Sequence, residues 1–132
     1  MIKITFAVMR RPDIDLEEFD RYWREDHAAL LLRHRRALGF VRYSQTPTSH
    51  RGLIAAMASQ RGCLAPFDGV ADMWFASTES MLEHGRSAES QAANVEILTD
   101  EARFIDLSRS SLMIGDERPI HPAPGDESGD GA

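Results

Sequence analysis

The chain has 132 residues, a length that suits one domain built around one core. Its net charge of -6 argues against a general nucleic-acid binder, because phosphate contacts need a basic surface. No apolar run approaches the length that spans a bilayer, and the single cysteine, Cys63, has no partner for an internal disulfide. The first residues enter a strand-like pattern with no apolar leader region, so a cytoplasmic protein is expected, with no membrane and no nucleic-acid partner. Cys63 has neither a His nor a second Cys at ligand spacing and reads as structural or incidental.

Ile2 to Arg10 reads as a strand, with Ile2, Ile4, Phe6 and Val8 on one face and Lys3, Thr5, Ala7 and Met9 on the other. Arg11-Pro12-Asp13 ends it, since proline has no N–H to continue a ladder. Leu16 to Arg36 then reads as one helix. Asp15 is its N-cap with Glu18 as capping-box partner, Arg33, His34, Arg35 and Arg36 complement the dipole at the far end, and Gly39 stops it. Leu16, Phe19, Trp23, Leu30 and Leu31 make one apolar stripe, and His27 falls on it one turn after Trp23. An imidazole aimed at an apolar interior is the chain's most suggestive chemical feature. The competing reading is a satisfied core histidine.

Phe40 to Gln45 is a second, short strand closed by Thr46-Pro47-Thr48. Ser49 to Gly69 is less regular, with a brief helix over Leu53 to Gln60; so long a connection suits a lid or pocket wall, an ordered loop or a dimer contact. Val70 to Phe75 is the third strand, with Val70, Asp72 and Trp74 on one face and Ala71, Met73 and Phe75 on the other. Both faces are mostly apolar, which suggests a sheet covered on both sides. Ser77 caps a helical segment through Met81, Leu82 and His84 that Gly85 interrupts, and Ser87 to Thr99 resumes the helical pattern with Ala88, Ala92, Val95 and Leu98. Phe104 to Leu107 reads as the fourth strand, and Ser111 to Ile114 extends it or forms a fifth. From Asp116 onward Pro, Gly, Asp and Glu dominate. A domain over residues 1–115 and a disordered acidic tail over 116–132 are expected.

The order of elements, β-α-β, a covering connection, then β-α-β, predicts an α+β fold of the ferredoxin-like, split βαβ kind. Its sheet is antiparallel and four-stranded, with both helices on one face. Two helices cannot cover both sides of that sheet. A second copy of the chain is the simplest cover for the other, so a homodimer packed sheet to sheet is expected.

Four segments also resemble, in the right order, the EthD-domain family. They are Ile2-Lys3-Ile4-Thr5-Phe6; Glu18-Phe19 with Tyr22-Trp23 and His27-Ala28; Asp68-Gly69-Val70-Ala71-Asp72-Met73-Trp74-Phe75; and Asp100-Glu101-Ala102-Arg103-Phe104-Ile105-Asp106. The resemblance implies a dimeric α+β barrel. The family takes its name from a gene cluster for ether degradation, and relatives in polyketide pathways are described as dehydratases or decarboxylases. Similar barrels include cofactor-free quinone-forming monooxygenases, lactone isomerases, polyketide cyclases and haem-binding enzymes, so the fold does not fix the function. Where family members often carry Glu this chain has Asp72, a shorter carboxylate that would stand further from a ligand.

In similar barrels the pocket lies between the sheet and the helices of one subunit. That makes His27, Asp72 and Asp106 the candidate catalytic residues and Tyr22, Trp23, Tyr43, Arg61 and Trp74 the candidate substrate contacts. His27 would move the proton, Asp72 or Asp106 would orient it or polarise a carbonyl partner, and the aromatic side chains would hold a planar molecule. Structural readings stand beside these: Asp72 paired with Arg61 or Arg42, Asp106 bonded to backbone, Tyr43 as half-buried packing. There is no His-Glu-x-x-His, Cys-x-x-Cys, Gly-x-Gly-x-x-Gly or Walker loop, so no metal and no nucleotide, nicotinamide or flavin cofactor is expected. A haem would need only one axial His and stays open. The leading expectation is a cofactor-independent acid–base enzyme of dehydratase, decarboxylase or cyclase type, acting on a small aromatic or polyketide-like molecule. The alternatives are a cofactor-free monooxygenase on a phenolic or anthrone substrate and a non-catalytic module that binds a hydrophobic metabolite.

Overall fold

The computed structural model describes residues 1–125; the last part of the expected tail, residues 126–132, lies outside the described residues. Four strands form one antiparallel sheet: β1 (Ile2–Val8), β2 (Arg42–Pro47), β3 (Gly69–Phe75) and β4 (Ser111–Asp116), in the order β2-β3-β1-β4. Each strand pairs antiparallel with its neighbour, with Ile4 opposite Met73 and Ile114, and Thr5 opposite Asp72 and Met113. Directly opposed residues share a face. One side of the sheet therefore carries Ile4, Phe6, Ala71, Met73, Phe75 and Tyr43, and the other carries Lys3, Thr5, Arg42, Val70, Asp72 and Trp74. The α+β ferredoxin-like expectation holds.

The first helical run is not one helix. It comprises α1 (Leu16–Tyr22), a π-turn over Trp23–His27, α2 (Ala28–Arg33) and a short α3 (Arg35–Leu38). Asp15 caps α1 as expected, accepting from the Glu18 N–H at 2.8 Å, but the Glu18 carboxylate turns to Arg21 instead of closing a reciprocal box. In the wide turn the Ala28 N–H reaches back to the Trp23 carbonyl. That carbonyl also accepts from the Gln45 side chain at 2.9 Å, which ties the turn to β2. π-turns of this kind are frequent at functional sites. The chain bends again at His34, which leaves helical geometry between α2 and α3. Gly39 then ends the run at φ +82°, where an added Cβ would also lie 2.4 Å from the His84 ring.

Between β2 and β3 lies α4 (Arg51–Ser59), none of whose residues is buried. After β3 come α5 (Thr78–Gly85) and α6 (Ala88–Glu101), capped by the Ser77 and Ser87 hydroxyls. The fourth strand is not Phe104 to Leu107. Ile105 makes only an isolated bridge with Arg10, a short 3-10 turn follows over Leu107–Arg109, and β4 begins at Ser111. The physical reason is that Phe104 and Ile105, although adjacent, both enter one core cluster, whereas neighbouring residues of a strand point to opposite faces. Both plug the core cluster made with Val8, Phe19 and Trp23. A second cluster, Leu30, Leu31 and Ile97, packs α2 against α6. Gly69 is required where these parts meet, because a Cβ there would stand 2.5 Å from the Trp23 indole.

Candidate functional site

A cavity of about 350 Å³ separates the helices from the sheet, at the small end of the range for ligand pockets. Its floor is apolar: Ile4, Phe6, Ala71, Met73, Phe75 and Leu112. Trp23, His27 and Leu31 close it from the first helical run, and Tyr43 closes it from β2. From α6 come Ser90, Asn94, Ile97 and Glu101. Their spacing of four, three and four residues makes one helix face.

His27 is buried, and its Nδ1 lies 2.7 Å from Asp100 Oδ2. Asp100 is buried too, at the last turn of α6, where Ala93, Ile97 and Asp100 turn one face toward the first helical run. The other Asp100 oxygen accepts from the Tyr22 hydroxyl at 2.5 Å and from Arg103 at 2.9 Å. Burial acts to raise the Asp100 carboxyl, but the hydrogen bonds from Tyr22, His27 and Arg103 together outweigh it and hold the group below its ordinary value. Burial also pushes the His27 imidazole below its ordinary value, and the bond to Asp100 restores only part of that. The pair is therefore an ionised carboxylate accepting from the Nδ1–H of a neutral imidazole. That bond selects the tautomer, leaving the Nε2 lone pair as the basic atom on the cavity side. Phe104, with its ring centroid 5.0 Å from the imidazole, packs against the ring and restricts its rotation.

Of the residues singled out from the sequence, His27, Trp23 and Tyr43 line this cavity. Tyr22 stands behind it, buttressing Asp100, and burial pushes its hydroxyl up. The Tyr43 hydroxyl accepts from Gln45 at 2.9 Å and is pushed up by burial. Asp72 and Trp74 are on the opposite face of the sheet. There Asp72 accepts from Thr5 at 2.7 Å, while Trp74 donates to Glu117 at 2.9 Å beneath the Arg42 guanidinium. Asp72 pairs with Lys3 at 3.9 Å and not with Arg61 or Arg42. Asp106 accepts from Ser108 at 2.7 Å outside the cavity, and Arg61 donates to the Met57 carbonyl at the exposed end of α4.

Asp100 and Glu101 were not singled out individually. The apolar set that marks this helix in the sequence, Ala88, Ala92, Val95 and Leu98, lies on its exposed face and stops before Asp100. The buried face is Ser90, Ala93, Ile97 and Asp100, and because half of it is polar, apolar spacing does not reveal it. Glu101 lines the cavity, and burial together with the neighbouring Asp100 charge raises its carboxyl to about 7. Among the described residues no group of three His, Cys, Asp or Glu side chains is arranged to hold a metal ion. No helix among them is long and apolar enough to cross a membrane.

Solved structures share this fold. An EthD-family protein of Bacillus halodurans is 22% identical, covers 89% of this chain and 99% of its own, and superimposes with a TM-score of 0.57. SnoaB, a cofactor-independent oxygenase from Streptomyces nogalater, is 12% identical over 92% of this chain and 96% of its own, with a TM-score of 0.53. A dimeric ferredoxin-like protein from Thermobifida fusca is 8% identical over 88% of this chain and 90% of its own, with a TM-score of 0.54. At such identities these likenesses concern the fold alone. Among curated proteins no relative matches. In sequence, residues 11–108 match the model of the EthD domain, a span that holds the π-turn, His27 and the Asp100–Glu101 corner, and the chain belongs to the EthD-domain family.

Proposed function

We propose that this protein is a cofactor-independent acid–base enzyme of the dehydratase, decarboxylase or cyclase kind, acting on a small aromatic or polyketide-like molecule. One observation carries this reading: the buried Asp100–His27 pair at 2.7 Å on the wall of an otherwise apolar cavity. A carboxylate that fixes the Nδ1–H tautomer makes Nε2 a base, and burial keeps that base unprotonated at neutral pH. An imidazole so held takes a proton from carbon next to a carbonyl without needing an electron carrier. Phe6, Phe75 and Trp23 supply aromatic surface to the cavity lining, which suits a planar substrate. Asp72, Asp106, Arg61 and Trp74 do not enter this mechanism. Asp100 takes the orienting role expected of Asp72 or Asp106.

The same base and cavity would serve a cofactor-free monooxygenase, in which a deprotonated phenol or anthrone itself reduces oxygen, and the likeness in fold to SnoaB favours testing it. We also propose a homodimer through the sheet face that carries Thr5, Val70, Asp72 and Trp74, the face opposite the helix-lined cavity.

The reading is tested by mass spectrometry of β-hydroxyketones, β-keto acids and anthrones incubated with wild type and His27→Ala, with and without oxygen. Loss of water or carbon dioxide that is indifferent to oxygen and falls about a hundredfold or more in the variant supports the lyase. Oxygen-dependent mass gain moves the protein to the monooxygenases. Saturable binding without turnover, equal in both proteins, makes it a carrier and His27 a packing residue.

A further inference from the structure

Glu101 is an unusual group to find in this cavity. It is the last residue of α6, beside Asp100, yet the two carboxyls have opposite surroundings. Asp100 collects Tyr22, His27 and Arg103, whereas among the described residues the Glu101 carboxyl has no hydrogen-bond or ion-pair partner. Among the described residues no Lys or Arg lines the cavity to neutralise it. Burial and the Asp100 charge next to it both oppose its ionisation and raise it to about 7. The ordinary order of the two cavity groups is thereby inverted. In water a glutamate ionises well before a histidine loses its proton. Here burial lowers His27 while it raises Glu101, so near neutral pH a free imidazole base faces the same cavity as a carboxyl of which about half still holds its proton. Paired groups pushed apart in this way mark a base and an acid.

We propose that Glu101 is the proton donor of this cavity and that its substrate is a β-hydroxy carbonyl compound, which loses water between His27 and Glu101. The proposal rests on the acid–base reading of His27. The proton on the carbon between carbonyl and hydroxyl-bearing carbon passes to Nε2 of His27. The electron pair of that C–H bond is first held as the enolate of the carbonyl, which can take up deuterium from solvent. When the pair returns to form the new C=C bond, the C–O bond breaks with its electrons leaving on oxygen. That oxygen takes the Glu101 proton and departs as water. The imidazolium then returns its proton through solvent to the Glu101 carboxylate, and no oxidant or reductant is consumed. Asn94 lies seven residues before Glu101 on the same stripe, roughly 10 Å along the helix, and offers an amide to the far end of an elongated substrate.

The test uses β-hydroxybutyrophenone in deuterium oxide and reads two events by mass spectrometry: deuterium uptake next to the carbonyl, and water loss. Wild type is expected to do both, and His27→Ala to lose both. Glu101→Gln keeps the size of the side chain but has no acidic proton. It is expected to keep deuterium uptake within about threefold of wild type and to lose water elimination by about a hundredfold or more. Elimination unchanged in Glu101→Gln overturns the donor role and leaves the His27 reading standing. Uptake and elimination falling together overturn the assignment of Glu101 to the leaving hydroxyl. Neither event in wild type overturns the His27 reading, and this proposal with it. A measurement that does not depend on the variant folding is carbon NMR of the Glu101 carboxyl in the wild-type protein. Ionisation near the ordinary 4.5, in place of about 7, overturns the proposal.

Discussion

Asp100→Asn is the substitution that separates orientation from mere packing. The variant is nearly isosteric but carries an NH2 group in place of one carboxylate oxygen. Tyr22 and Arg103 both donate to Oδ1, so the amide oxygen settles there and the amide nitrogen faces His27 Nδ1, which had been 2.7 Å from Oδ2. That nitrogen can only donate. His27 must then accept at Nδ1 and carry its proton on Nε2, which removes the lone pair on the cavity side. A base locked in the wrong tautomer loses roughly a thousandfold or more in turnover. The stability cost is smaller: about 1.5–3 kcal/mol for the charge-assisted bond from His27, with little added by the largely exposed Arg103. The assay is turnover of the elimination substrate beside urea unfolding, with nitrogen NMR of the imidazole to report the tautomer. Turnover kept within about threefold of wild type, with Nε2 protonated, would refute the role assigned to the pair.

The two cavity groups, His27 and Glu101, give stability opposed dependences on pH. His27 is lowered on folding, so the unfolded chain takes up that proton first and stability falls as pH drops below about 6.5. Glu101 is raised on folding from 4.5 to about 7, so its contribution is complete below 4.5 and gone as pH rises past 7. Glu101→Gln removes the second part: urea unfolding should find it about 1–2 kcal/mol more stable than wild type near pH 8, allowing for partial solvent screening, and level with it in acid. Gly69→Ala drives a methyl to within 2.5 Å of the Trp23 indole and should cost about 1–3 kcal/mol, read from a shifted thermal midpoint and from altered near-ultraviolet dichroism of Trp23. Val70→Arg places a charge on the sheet face proposed as the dimer interface, and light scattering should find the proposed dimer replaced by monomer. A variant that stays dimeric would place the interface elsewhere.

Local order was already legible along the chain. Alternation separated Ile4 and Phe6 from Lys3 and Thr5, and Ala71 and Met73 from Val70 and Asp72, and the strand register keeps those sets apart. Asp15, Ser77, Ser87 and Gly39 mark helix ends through cap chemistry that needs only neighbouring residues. Alternation nevertheless defines two faces without saying which one the helices cover. Asp72 and Trp74 could therefore be expected in a cavity that lies on the other side of the sheet. The fourth strand was displaced for a related reason, since apolar content at Phe104 and Ile105 signals burial but not the element that provides it.

His27 itself was visible as an imidazole on an apolar stripe. Its partner was not, because Asp100 is 73 residues away and reaches it only when α6 packs beside the first helical run. The same holds for the inverted order of His27 and Glu101. Ordinary proton affinities are properties of residue types, whereas burial and neighbouring charges exist only in the folded chain. The sequence by itself thus determined the first three strands, the caps and the family. Tertiary packing decided which carboxylate holds the imidazole and which one keeps its proton, because both depend on solvent being excluded by residues far apart in the chain.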